Sequence, residues 1–214
     1  MSSMLLPDTT RPGISFGASC KMRQTLDDTR KTGRVMLELS NSAGKFLKAL
    51  EGYGLYQHNY KSNPQLVGKA LIGLVEKWHR DVSIEYGGHV DLANSFYLAL
   101  SWNRSEQYQL FKFPLSLPGP EILQWDFPTV EGNGEARTGR RLRGKDSAGV
   151  LFEWYGESGG QLKYYPQVED ALWKSEIFQL EPLLQDNAAY YGILAKAQAY
   201  FPGRWAVLSS SESI

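Results

Sequence analysis

Apolar positions repeat most regularly between residues 64 and 80. Leu66, Val67, Ala70, Leu71, Leu74, Val75 and Trp78 recur at spacings of three and four, with Lys69, Glu76, Lys77 and Arg80 on the opposite side. That is the period of an amphipathic helix with one buried stripe. Asn63 suits its cap and Pro64 its first turn. A shorter helical pattern covers 43–51, with cap candidates Asn41 and Ser42 before it and Phe46, Leu47 and Leu50 on one face. Residues 34–39, RVMLEL, read as a strand ahead of this helix. Gly52, Tyr53, Gly54, Tyr56 and Tyr60 form a loop after it.

Beyond Arg80 the period shortens to two. Segments 94–102, 107–113, 121–127, 136–143, 149–155 and 161–165 are aromatic or alternating, punctuated by Gly, Pro, Asn and Asp, and read as short, mostly antiparallel strands. VLFEWYGESGGQLKYYP is a hairpin signal, with Ser158, Gly159 and Gly160 in the turn. Residues 167–174 read as a helical turn. Residues 183–199 are helical by propensity, with Gly192 weakening the middle. Residues 1–20 hold Pro7, Pro12, Gly13 and Gly17 without a sustained period and read as a flexible arm. The expected fold is α+β, with a flexible N-terminal arm (1–20) and one globular domain (21–214). Its sheet is mostly antiparallel, packed by an amphipathic helix pair and a C-terminal helix. In that arrangement Leu66, Leu71, Leu74, Val75 and Trp78 lie on a sheet containing Phe96, Leu98, Leu110, Leu151 and Phe152.

Composition narrows the class without naming an activity. A 214-residue chain with 42% hydrophobic and 13% aromatic residues has enough apolar mass for its own core. The lone Cys20 excludes an intrachain disulfide framework and a multi-cysteine zinc site, and points to a reducing compartment. No run approaches the roughly 18 apolar residues of a membrane span, and the first residues do not read as a secretory signal. Lys+Arg and Asp+Glu are both 23, yet unevenly placed. Residues 1–80 hold 12 basic and 6 acidic residues, a balance of +6, and 81–214 hold 11 and 17, a balance of −6. Halves of opposite sign favour orientation on an anionic surface or head-to-tail self-association.

No catalytic set emerges, so no enzyme activity, metal or cofactor is expected. His58, His79 and His89 have no partner at a metal-ligand spacing. There is no nucleophile elbow, and Cys20 has no neighbouring base. Gly132, Gly134 and Gly139 are spaced as turn residues, not as a phosphate cradle. Asp146, Gln161 and Lys163 give a D…QxK pattern related to that of metal-dependent nucleases, but Asp146 belongs to the far end of the hairpin from Gln161. The densest charge is Arg137, Arg140, Arg141, Arg143 and Lys145 in a glycine-containing loop, a candidate grip for phosphates of RNA or lipid headgroups. Tyr97-Leu98-Ala99-Leu100 matches a YxxL budding signal, but its alternation suits a core strand.

The segment AAYYGILAKAQAYFPGRWAVLSSSES resembles the ending of rhabdovirus matrix proteins of the vesiculovirus type. The shared features are Gly192-Ile193-Leu194 in a helix, a Gly203-Arg204-Trp205 turn and a closing strand, Val207-Leu208-Ser209. The preceding order of arm, strand, helix, Tyr/Gly loop, helix and strands is similar, with Trp173 before Phe178. The PPxY motif and Lys-dense arm of many such proteins are not present. The resemblance implies a non-enzymatic protein that self-assembles beneath a viral envelope, binds anionic membrane peripherally and condenses the nucleocapsid. Homo-oligomers, an anionic membrane, the viral nucleocapsid and RNA itself are the implied partners. The implied places are the virion, the host cytoplasm and the inner face of the host membrane. Met4, Leu5 and Leu6, with Arg11, Lys21 and Arg23, are the candidate membrane or self-association residues of the arm. A nucleic-acid-binding accessory protein and a D…QxK nuclease are the alternatives.

Overall fold

The computed structural model describes residues 2–8, 10–132, 135–157 and 159–180, with the side chains of 2–4, 7, 132 and 135 left aside. The chain is α+β. The helix expected at 183–199 and the segment that resembles matrix proteins lie outside the described residues.

The residues expected to form an arm instead build one side of a sheet. β1 (Ser2–Pro7) pairs antiparallel with β2 (Ser15–Arg23). β2 in turn runs parallel to β4 (Phe96–Trp102), from Ala18 opposite Phe96 to Arg23 opposite Ser101. The prolines and glycines that suggested an arm belong to the turn. There Asp8 accepts hydrogen bonds from the Thr10 backbone (2.9 Å) and hydroxyl (2.7 Å), and Gly13 takes φ +82°. Apolar residues at 16–22 have no clean alternation because both faces of β2 are partly buried.

β4 continues antiparallel to β5 (Gln107–Pro114), and β12 (Trp173–Lys174) pairs with β5. A second sheet has the order β3-β11-β10-β9-β6, from β3 (Leu37–Asn41), β6 (Gln124–Asp126), β9 (Leu142–Asp146), β10 (Gly149–Tyr155) and β11 (Gln161–Tyr164). β7 (Thr129–Gly132) and β8 (Glu135–Thr138) form a separate hairpin. The pliable basic loop expected around 137–145 is thus half hairpin and half interior strand. Its Leu142 and Gly144 are buried, so Arg141, Arg143 and Lys145 are left on the outer face.

Among the described residues there are three α-helices. α1 (Leu26–Thr32) ends at Gly33, whose left-handed φ of 69° directs its N–H to the Thr29 carbonyl. α2 (Ala43–Glu51) matches its sequence pattern. α3 (Pro64–Glu85) extends five residues past the expected end and is capped by Asn63 Oδ1, which accepts from the Leu66 N–H at 3.1 Å. Leu71, Val75, Leu151 and Phe152 share one core, with Leu66, Leu74 and Trp78 packed against it. A bulge at 150–152 lets the consecutive Leu151 and Phe152 both be buried.

The β4 register differs from expectation. Tyr97 and Ala99 enter this core with Phe111 and Phe113, whereas Leu98 and Leu110 are half-buried outside it and Phe96 packs near Phe16. FYLALSW is apolar on both faces, so alternation selects neither. The face is decided by a polar contact: the Tyr97 hydroxyl is 2.9 Å from His79 Nε2 on α3, which lets a tyrosine be buried with its oxygen satisfied.

Candidate functional site

The basic cluster is dispersed and largely neutralised by neighbouring strands. Arg137 sits in the β7–β8 hairpin. Arg140 is 81% exposed, with Nε 3.4 Å from Glu157 Oε2. Glu157 also receives Lys61 Nζ at 2.5 Å and the Tyr60 hydroxyl at 3.2 Å. The Lys61 hydrogen bond is the main reason its carboxyl lies below the ordinary range. Arg141 lies over the Tyr155 ring at 4.7 Å, and Lys163 lies 4.6 Å from the same ring. Arg143 meets Glu153 at 3.3 Å and Lys145 meets Asp126 at 2.6 Å.

These contacts belong to a cross-strand ladder. Arg143 is opposite Glu153, Glu153 opposite Lys163, and Lys163 opposite Glu38, which is paired in turn with Arg23. Alternating charge at directly opposed positions stabilises the sheet pairing itself. Glu153, with its side chain only 13% exposed, also accepts from Tyr155 (3.1 Å) and Tyr165 (3.0 Å). Burial, and then the Glu153 charge, push the Tyr165 phenol up, so it stays protonated as a donor. Of the five cations proposed to grip phosphate, three hold carboxylates and one covers an aromatic ring.

The N-terminal candidates are also engaged. Leu5 and Leu6 are half-buried within β1, while the Met4 side chain lies outside the described residues. Arg11 bridges Asp8 (2.7 Å) and Asp91 (2.5 Å). Hydrogen bonds lower both carboxyls to about 2, chiefly from Thr10 at Asp8 and from Arg11 at Asp91. Lys21 is half-buried on β2, and Arg23 is bound to Glu38. Asp146 and Gln161 are not brought together. They face Gly149 and Tyr155, at opposite ends of β10, about 20 Å apart at strand rise. Asp146 is occupied by Arg34 (3.2 Å) and the Ala148 N–H (2.8 Å). Among the described residues no three His, Cys, Asp or Glu side chains converge as a metal site.

The sequence reading passed over the outer face of the helices. Lys69, Gly73, Lys77, Arg80 and Ile84 follow one another at spacings of four and three along α3, opposite its buried stripe. Lys69, Lys77 and Arg80 are exposed, and Ile84 is 74% exposed at the end of the row. Lys77 holds Asp81 at 2.5 Å; Lys69 and Arg80 have no ion pair with a described carboxylate. Lys45 and Lys48 are exposed on α2, and Lys45 lies 5.6 Å from the Trp78 ring. Val82 and Tyr86 are also exposed near Ile84. The signal was present in the sequence as the polar side of the 64–80 pattern. In the sequence, Lys69, Lys77 and Arg80 share that side with Glu76, which marks it only as the side away from the buried stripe. The added feature is the exposed apolar end, which lies past the expected helix terminus. Among the described residues no helix is long and apolar enough to cross a membrane.

No protein-family model, curated protein or solved structure matches this chain.

Proposed function

We propose that this protein is a non-enzymatic matrix-type protein of the rhabdovirus kind. It binds an anionic membrane surface peripherally, self-associates there and condenses a nucleocapsid, in the virion and at the inner face of the host membrane. The observation that carries the membrane part is the outer row of α3, where Lys69 and Arg80 have no ion pair with a described carboxylate and exposed Ile84 stands at the end. Cations that attract headgroups, followed by an apolar side chain that enters the interface, are what peripheral attachment requires. Lys69 and Arg80 together contribute about 2 kcal/mol at an anionic surface, at roughly 1 kcal/mol each. The resemblance at the C-terminus supplies the kind of protein.

The pairing within the basic cluster moves the contact surface from Arg137, Arg140, Arg141, Arg143 and Lys145 to the helices. Replacing Lys69 and Arg80 together by Glu removes about 2 kcal/mol, a loss of at least ~30-fold in affinity for anionic vesicles at low salt. Because both side chains are exposed, folding is unaffected. Arg140→Glu with Arg141→Glu is expected to weaken binding far less. If that pair carries the larger loss, the contact surface belongs to the basic cluster.

A further inference from the structure

A hollow of about 550 Å³ lies between the second half of α3 and the edge formed by β1 and β2. Its walls are apolar: Leu5, Val82, Val90, Leu92 and Leu115. Ser19 and His79 line one polar end; elsewhere the border carries Glu85 and Ser95, whose hydroxyl is already taken up by the Gly17 N–H and the Asp91 carbonyl. The size is that of a small-ligand site, and the division into apolar walls and one polar end suits an elongated amphiphile.

Charge defines the direction. Ser19 and Lys21 pair with Tyr97 and Ala99 in the parallel β2–β4 register, so they project to the same side as those core residues, toward α3. Lys21 is half-buried, and no described carboxylate pairs with it. Desolvation lowers its pKa, the signature of an ammonium that has lost water without gaining a counter-ion. Burial lowers His79 to about 4, and the charges of Lys21 and Arg80 act on it in the same direction. Lys21 therefore lies beyond Ser19 at the Ser19–His79 end, whereas Arg80 is on the outer row of α3. Glu85 borders the hollow from the last turn of α3 and is exposed to solvent.

We infer that this hollow binds a long-chain fatty acid, with the alkyl chain between β1 and α3 and the carboxylate toward Lys21. The inference is independent of the matrix reading. It requires only an uncompensated cation at one end of an apolar hollow.

Fluorescence titration with cis-parinaric acid at pH 8 tests it, with oleate and oleyl alcohol as competitors. Saturable uptake of one probe per chain is expected, with displacement by oleate at least tenfold more effective than by oleyl alcohol. Lys21→Glu should weaken binding at least tenfold, Lys21→Arg should retain it, and Val82→Trp should abolish it by filling the hollow. Val82 is partly exposed on a helix, so its variant keeps the test decisive should Lys21→Glu unfold. No saturable uptake by the wild type overturns the inference, as does equal displacement by the alcohol. A wild type that ignores the probe while Val82→Trp loses self-association would assign the hollow to a second copy of the chain, and equally overturns it. Lys69→Glu, on the outer row of α3 and away from the hollow, should weaken vesicle binding while keeping the uptake of cis-parinaric acid, so this inference and the matrix reading fail separately.

Discussion

His79 concentrates several constraints in one side chain. It lines the hollow, satisfies the buried Tyr97 hydroxyl and is held neutral by burial and by two nearby cations. Its pKa falls from 6.5 to about 4 on folding. Between those values the unfolded chain binds more protons at this group than the folded one. Its contribution is therefore present above pH 6.5 and is lost as pH falls toward 4, at most about 3 kcal/mol. The Asp8 and Asp91 carboxyls lie at about 2 against a usual 3.8, so their contribution disappears only at lower pH. Urea unfolding at pH 7 and pH 4.5 should show a clear loss for the wild type and a smaller one for His79→Gln, which keeps a hydrogen-bonding group beside Tyr97. Equal losses would show that His79 is solvated. The Tyr97–His79 contact was not legible in the sequence. Eighteen positions separate the pair, and a strand apolar on both faces does not announce which face is buried.

Elements with one buried face were legible, and those with two or none were not. α3 displays a stripe, a cap and a proline at its start, and the β10–β11 hairpin displays alternation around a glycine turn; both formed as read. α1 has only Leu26 and Thr29 buried in LDDTRKT, too few to create a period. β1 and β2 fail differently: both faces of β2 are partly buried, which removes its alternation, and the turn between the two strands imitates a linker. Their place in the sheet has a measurable consequence. Deleting residues 1–14 removes β1, its ladder with β2 and the Arg11–Asp91 ion pair. The thermal midpoint is expected to fall on the order of 5–10 °C, as for a loss of about 2–3 kcal/mol in a chain of this size. An unchanged midpoint in calorimetry would return these residues to the role of a free arm.

At the scale of the molecule, part of the charge asymmetry of the sequence is paired across its two halves among the described residues. Arg11–Asp91, Arg34–Asp146, Lys61–Glu157 and Lys77–Asp81 each join the basic first eighty residues to the acidic remainder. These pairs weaken the head-to-tail attraction that oppositely charged halves would exert. What favours self-association instead is exposed apolar surface around β12, where Leu172 is 63% and Trp173 51% exposed. Association through such side chains persists as salt rises. Sedimentation velocity at low and high salt should show concentration-dependent oligomers at both, reduced by Leu172→Ser with Trp173→Ser. Oligomers that dissociate in high salt would restore the electrostatic explanation.

The membrane claim meets its most direct test in vesicle co-sedimentation of the full chain, with neutral and with anionic lipid. The wild type should pellet with anionic vesicles at low salt and remain in solution with neutral ones, and the Lys69→Glu, Arg80→Glu variant should remain in solution with both. A wild type that stays in solution with anionic vesicles at low salt, or a variant that pellets as well as the wild type, would contradict it.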